Sequence, residues 1–386
     1  MHILLALILS FNLSLSAEIV FVANEGNFGA SNGSISMIFE DGNIIETQPL
    51  GDVVQALEVY GDKLIVLVNN SHKILIYDIT PNGLAMPGIE VSTNGSGPRD
   101  LAVANNKVYF TNYNTQDIKV FNLFTYSIDT SIPVSGLPED IEFDGEYMWV
   151  TIPHSDLFFS TGSSVLKIDI NSNSVIETIE VGYGPQQIAF NGDDIYISRT
   201  FYDDTWNPFH GTTKITDSNG DGISEVEWYN YGAGAPCGGS VVRHQNSVYR
   251  SFDGGLAKVN NDLTLEDVSI GNFDQSEVYH VEKINEMFWF GITNYSNLNE
   301  VHVLDEYGNE ISVYQTGIIP GDFAAWNQCS TDGDLTNDGV LDVADVIYIL
   351  DLILDINSDY NCSADINLDS NIDVFDVIEL IIDILN

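Results

Sequence analysis

The chain has 386 residues, more than one hydrophobic core usually supports, and is read as two domains. Hydrophobic residues make up 44% and aromatics 11%, which excludes an intrinsically disordered chain. Against 57 acidic residues stand only 12 basic ones, and the formal net charge of −45 repels DNA, RNA and anionic membranes. Nucleic acid is excluded as a partner, and cations are the natural small ones.

The first predicted element is the apolar run from Ile3 to Leu15, which ends in the small residues Ser16 and Ala17. This is the pattern of a secretory signal peptide over 1–17, although the segment before the run holds only His2 and no Lys or Arg. A membrane span needs about 20 apolar residues, so none is expected, and the predicted location is secreted, extracellular or cell-surface. A buried first strand is the competing reading.

From 18 to 325 the text repeats: a Gly/Pro turn, an apolar strand, an Asn/Asp/Gly hairpin, then further strands. Gly97-Pro98-Arg99-Asp100 leads into LAVANNKVYFTN, Leu137-Pro138-Glu139-Asp140 into IEFDGEYMWVT, and Gly184-Pro185-Gln186-Gln187 into IAFNGDDIYIS. Strongly apolar strands, taken as the innermost of each unit, fall at 19–24, 63–69, 107–112, 147–151, 194–198, 247–251 and 287–291. Seven units at intervals of about 40 to 50 residues predict a mainly β fold, a seven-bladed β-propeller, with a solenoid or paired sandwiches as alternatives.

The segments VANEGNFGASNGSIS (22–36) and LGDVVQALEVYGDKLIVLVNNSHKILIYD (50–78), with the Gly-Pro units, resemble the YncE-like propellers of the YVTN type. That resemblance covers about 18 to 325 and implies the same fold; some such propellers capture a corrinoid at the cell surface. Residues before the innermost strands face the channel mouth, so Arg99, Asp100, Glu139, Asp140, Gln186 and Gln187 form the candidate ligand-binding site. Their polar mixture suits a glycan or small-molecule ligand. The plainer alternative is that they hydrate and hydrogen-bond the channel turns.

An insertion at 200–245 carries Asp217, Asn219, Asp221, the Ile223 carbonyl and Glu225, oxygens spaced to wrap calcium. Its twelfth place is Trp228, not an acid, so a metal-free turn competes. Tyr202, Trp206, Phe209 and His210 crowd the same region and offer a stacking surface, or simply pack a long loop. Of the cysteines, Cys329 and Cys362 flank one C-terminal repeat and are the expected bridge, leaving Cys237 as a buried thiol.

The last predicted unit is 330–386, where GDLTNDGVLDVADVIYILDLIL (333–354) lies over ADINLDSNIDVFDVIELIIDIL (364–385) without a gap. Asp334, Thr336, Asp338, the Val340 carbonyl, Asp342 and Asp345 occupy the ligand places of one twelve-residue calcium loop. Asp365, Asn367, Asp369, the Asn371 carbonyl, Asp373 and Asp376 occupy those of a second. Gly339 holds the sharp turn of the first, but Ser370 replaces it in the second. Two loop-helix copies resemble type I dockerins, which implies docking to a cohesin-bearing scaffold. The recognition places depart from that family, with Val343-Ala344 and Val374-Phe375 where Ser-Thr is usual.

The sequence therefore predicts a secreted calcium-binding protein, a propeller module for a ligand or partner, attached through a small α-helical dockerin-like domain and serving polysaccharide utilisation. Catalysis is not expected, since no histidine sits in a recognisable metal or triad motif. A glycoside hydrolase or lyase-type propeller enzyme and a corrinoid-capture protein are the alternatives.

Overall fold

A computed structural model describes residues 18–216, 224–236, 239–327, 333–336, 340–354, 362–367 and 372–385. Its strands form seven antiparallel sheets, the blades of a β-propeller arranged around one central channel. Blade three is representative: Pro98–Ala104 is innermost, followed outward by Lys107–Asn112, Asp117–Asn122 and Ser127–Pro133.

The strongly apolar strands prove to be second from the channel, a correction to their expected innermost place. Lys63–Val68, for example, pairs with Val54–Tyr60 on its inner side. The reason is burial on both faces. Leu64, Val66 and Val68 join a cluster with Ile19 and Phe21 of the first blade. Ile65 and Leu67 point the other way, into a cluster with Val108 and Phe110 of the third. A strand packed between two neighbours reads as a continuous apolar run, whereas the innermost strand has one edge on the wet channel and carries polar residues. Seven such clusters, one per blade junction, make up the propeller core.

The first blade is closed by the end of the domain. Pro320–Asn327 supplies its innermost strand and pairs with Glu18–Asn24, placing Asn327 opposite Glu18. Closure leaves no blade without neighbours on both faces.

The turns into the innermost strands need a left-handed residue. Gly97 and Gly184 take φ of +66° and +67° directly before Pro98 and Pro185. A Cβ on Gly184 would lie 2.0 Å from the Thr200 carbonyl oxygen, so only glycine fits there. The first and second blades place Ile319 and Val53 at the same turn, at φ of +60° and +63°, conformations that β-branched residues rarely adopt.

Beyond the propeller lie two helices, α1 (Val343–Leu354) and α2 (Val374–Leu385). Val346 and Ile349 of α1 pack with Val377 and Leu380 of α2, together with Leu335 and Ala364, in a core of their own. Among the described residues no helix is long and apolar enough to cross a membrane. Residues 1–17, with the expected leader, and Cys237 and Cys329 lie outside the described residues, as does the side chain of Cys362 and with it the expected bridge.

Candidate functional site

All seven innermost strands line one cavity of about 550 Å³ in the channel. The pairing of these strands with their neighbours shifts register at the mouth, at Gln55, Arg99-Asp100, Gln186-Gln187, Tyr279 and Gly321. Each shift is a β-bulge, an extra residue that breaks strict alternation and re-aims a side chain. Two consecutive residues of one strand thereby line the channel.

The outer position of each pair makes the mouth. Arg99 forms a bidentate pair with Glu139, Nη2 to Oε1 at 2.6 Å and Nε to Oε2 at 3.2 Å, and its Nη1 donates to Gln55 Oε1 at 2.7 Å. Tyr113 donates its hydroxyl to Glu139, and Tyr279 donates to Glu25 at 2.8 Å. Gln55 Nε2 donates to Glu25, joining both halves in one network. Burial works against the Arg99 charge, and the adjacent Glu139 carboxylate more than restores it. Burial lifts Glu25 to about 6, against the lowering effect of the Tyr279 hydroxyl.

Four residues near the mouth, Asp100, Asp140, Ser240 and Asp322, stitch blade to blade. Asp100 Oδ2 accepts the Ile141 N–H, Asp140 Oδ2 the Ile188 N–H and Asp322 Oδ2 the Leu57 N–H, each from the next blade, at 2.9, 2.9 and 2.7 Å. Ser240 Oγ does the same for Val281. Asp100 and Asp140 thus have a structural duty, in line with the plainer alternative that these residues hydrogen-bond the channel turns. Of the six predicted site residues, Arg99 and Glu139 form the mouth pair, Gln186 lines the same cavity, and Gln187 hydrogen-bonds His280 at 3.3 Å.

Sequence reasoning missed the deeper carboxylates: Glu58, Glu142, Glu282 and Asp322 line the same cavity. Burial pushes Glu58 up to about 8, aided by the charges of Glu282 and Asp100. Asp140, Glu142 and Asp322 are raised well above the ordinary carboxylate range, first by burial and then by neighbouring acids. The available signal was register, since Glu58 and Glu282 each stand two residues beyond a bulge pair in their own strands, and Glu142 stands two residues beyond Asp140.

No protein-family profile matches the chain, and no curated protein matches it in sequence. Solved structures do. A 6-phosphogluconolactonase-like protein from Bacteroides fragilis has 14% identity and a TM-score of 0.58 over 80% of this chain and 98% of its own. A second from Bacteroides uniformis has 17% identity and 0.58 over 80% and 99%. AztD from Citrobacter koseri has 12% identity and 0.50 over 81% and 98%. The likeness is one of fold.

In the predicted insertion, Asp217, Asn219, Asp221 and Ile223 lie outside the described residues. Glu225 opens the strand Glu225–Ala233 and pairs with Thr216, so the extra length lies largely in extended strands of blade five. Trp206 is exposed beside Tyr202, ring centres 6.1 Å apart. His210 is buried instead, its Nε2 2.7 Å from the Ala235 carbonyl and its Nδ1 3.2 Å from Arg250, and is no part of a stacking surface.

At the C-terminus the two repeats are built alike. Asp345 accepts N–H bonds from Thr336 and Asp342 at 2.9 Å each, and Asp376 accepts them from Asn367 at 3.2 Å and Asp373 at 2.7 Å. Asp342 and Asp373 accept the Ala344 and Phe375 N–H groups, both at 2.7 Å, and so cap α1 and α2. The acid three residues on accepts the N–H of the cap in turn, the return half of a capping box. Asp345, Asp365 and Asp376 are buried. Asp334 and Val340 are described, whereas Asp338, Asp369 and Asn371 are not.

Proposed function

We propose that the propeller is a binding module for a hydroxyl-rich ligand and that the C-terminal repeats are a calcium-dependent docking module on an exported protein. The Arg99–Glu139 pair carries the first half. A bidentate charge pair at the mouth of a polar cavity presents fixed donors and acceptors, so a glycan or similar ligand meets a site that needs little reordering. Tyr113 and Tyr279, bonded into the same network, add aromatic faces. The inner acids favour binding over catalysis, because Asp100 and Asp140 already hold backbone N–H groups of the next blade.

The resemblance of the repeats to YncE-like propellers adds a corrinoid to the ligands to be tried. For the second half, the acids of both repeats stand in calcium-loop register, and the helices expose Val343, Ile347 and Leu350 on α1 with Phe375, Ile378 and Ile382 on α2. An apolar face of this kind fits a protein partner, and the dockerin resemblance makes that partner a cohesin-bearing scaffold. The insertion loop closing on Glu225 is a third, weaker calcium site in this reading.

A hydrolytic reading has one observation in its favour. Glu25, lifted to about 6, and the ion-paired Glu139 belong to one network, and two carboxyls in unlike environments are what acid–base cleavage of a glycosidic bond uses. The two readings part in one experiment on the full chain, a screen against oligosaccharides and corrinoids for both binding and turnover. Saturable binding without turnover, weakened at least tenfold by Glu139→Ala, supports the binding module. Turnover abolished by Glu25→Gln supports the enzyme, and neither binding nor turnover overturns both.

A further inference from the structure

We propose that the channel carries a binding site for a divalent first-row transition metal, formed by His280, Glu282 and Asp322. One donor atom from each lies within 4.8 Å of the others. His280 Nε2 stands 3.5 Å from Glu282 Oε2 and 3.9 Å from Asp322 Oδ1. Both separations are too long for good hydrogen bonds. They are close to the spacing of about 3.4 Å that two ligands adopt when each sits about 2.1 Å from one tetrahedral ion.

The imidazole itself points to a ligand. Its Nε2 is shielded from solvent and has no hydrogen-bond partner, while Nδ1 is held by the Gln187 side chain at 3.3 Å. The contact fixes the ring, and with the Gln187 amide turned so that its oxygen accepts the Nδ1 proton, the Nε2 lone pair faces the carboxylates, the second-layer arrangement found behind metal-binding histidines. Asp322 is fixed in the same way, because its Oδ2 is taken by the Leu57 N–H of the next blade.

Charge favours a cation here. Glu58 and Asp100 share the cavity with the three ligands; of the cations that line it, Arg99 is engaged with Glu139, Lys283 with Glu286 and Arg243 with the Gln245 carbonyl. The ring nitrogen selects the class of ion. Calcium takes oxygen ligands, whereas one imidazole with two carboxylates suits zinc, manganese or cobalt. The site is therefore distinct in chemistry from the C-terminal loops, and it stands or falls apart from the identity of the mouth ligand.

The test uses the full chain, stripped with chelator, returned to excess calcium to occupy oxygen-only sites, and titrated with cobalt(II). The expected result is one equivalent of calcium-resistant cobalt with the visible absorption of a low-symmetry, nitrogen-ligated ion, displaced by zinc. His280→Ala and Glu282→Gln each weaken uptake tenfold or more, and Gln187→Ala weakens it about tenfold through the ring orientation. Glu282→Gln keeps the size of the side chain, so a native circular dichroism spectrum in chelator separates lost metal from lost fold. Wild-type protein that takes up no cobalt in excess calcium overturns the proposal, as does equal affinity in folded His280→Ala and Glu282→Gln variants.

Discussion

Two residue types at the channel mouth are fixed by backbone geometry more than by chemistry. Gly184 sits at positive φ against the Thr200 carbonyl, so Gly184→Ala must move backbone and is expected to cost about 2 kcal/mol or more in urea unfolding of the full chain. Asp140 is a case where one side chain serves two purposes. Asp140→Ala leaves the Ile188 N–H unpaired inside the ring and should cost about 1 to 3 kcal/mol, whereas Asp140→Asn keeps an acceptor and should cost less. Equal losses in the two variants would show that the bond between blades contributes nothing. Removal of Arg99 or Glu139 alone leaves a partly buried charge without its partner, so a loss of ligand in either variant must be read beside its melting curve.

At the level of elements, α1 and α2 hold together through a small apolar core, and each is preceded by a loop dense in carboxylates. Bringing those acids together without a cation costs self-repulsion, so the helices should form fully only in calcium. Hydrogen exchange of the full chain is expected to show the amides of 343–354 and 374–385 protected in calcium and exchanging rapidly in chelator. Asp345→Ala and Asp376→Ala should each remove about one calcium by titration calorimetry, and equal protection with and without calcium would defeat the expectation. The two helices were legible because the information is local: the repeat and its helical periodicity lie within one segment of text. The seven apolar strands were legible for the same reason. Their order across the blade was not, since a strand buried on both faces reads alike wherever it lies. The deep carboxylates were hidden for another reason, as Glu58 and Glu282 meet only once the ring has closed, and nothing near either of them in sequence announces the other.

For the whole molecule, the channel couples acidity to stability. The Glu58 carboxyl holds its proton more tightly in the folded chain than in the unfolded one, so folding takes up protons and stability falls as pH rises. The window runs from the ordinary value of 4.5 up to about 8. Water in the channel tempers the effect, and melting in chelator is expected to drop by about 5 °C between about pH 5 and pH 8. Glu58→Gln should flatten that slope, and a variant that tracks the wild type across the window would remove Glu58 from the account. The closure of the first blade has a mechanical side. Strand 320–327 is held on one flank only, by Glu18–Asn24, while its other flank faces the channel. The chain continues from Asn327, opposite Glu18, so tension on the C-terminal segment opens this ladder from its end, one rung after another, as a zip opens rather than as a lap joint shears. If the C-terminus is the tether, the load falls on the one strand that shuts the ring, and Asp322, which reaches across to Leu57 in the next blade, is a latch partway along its path.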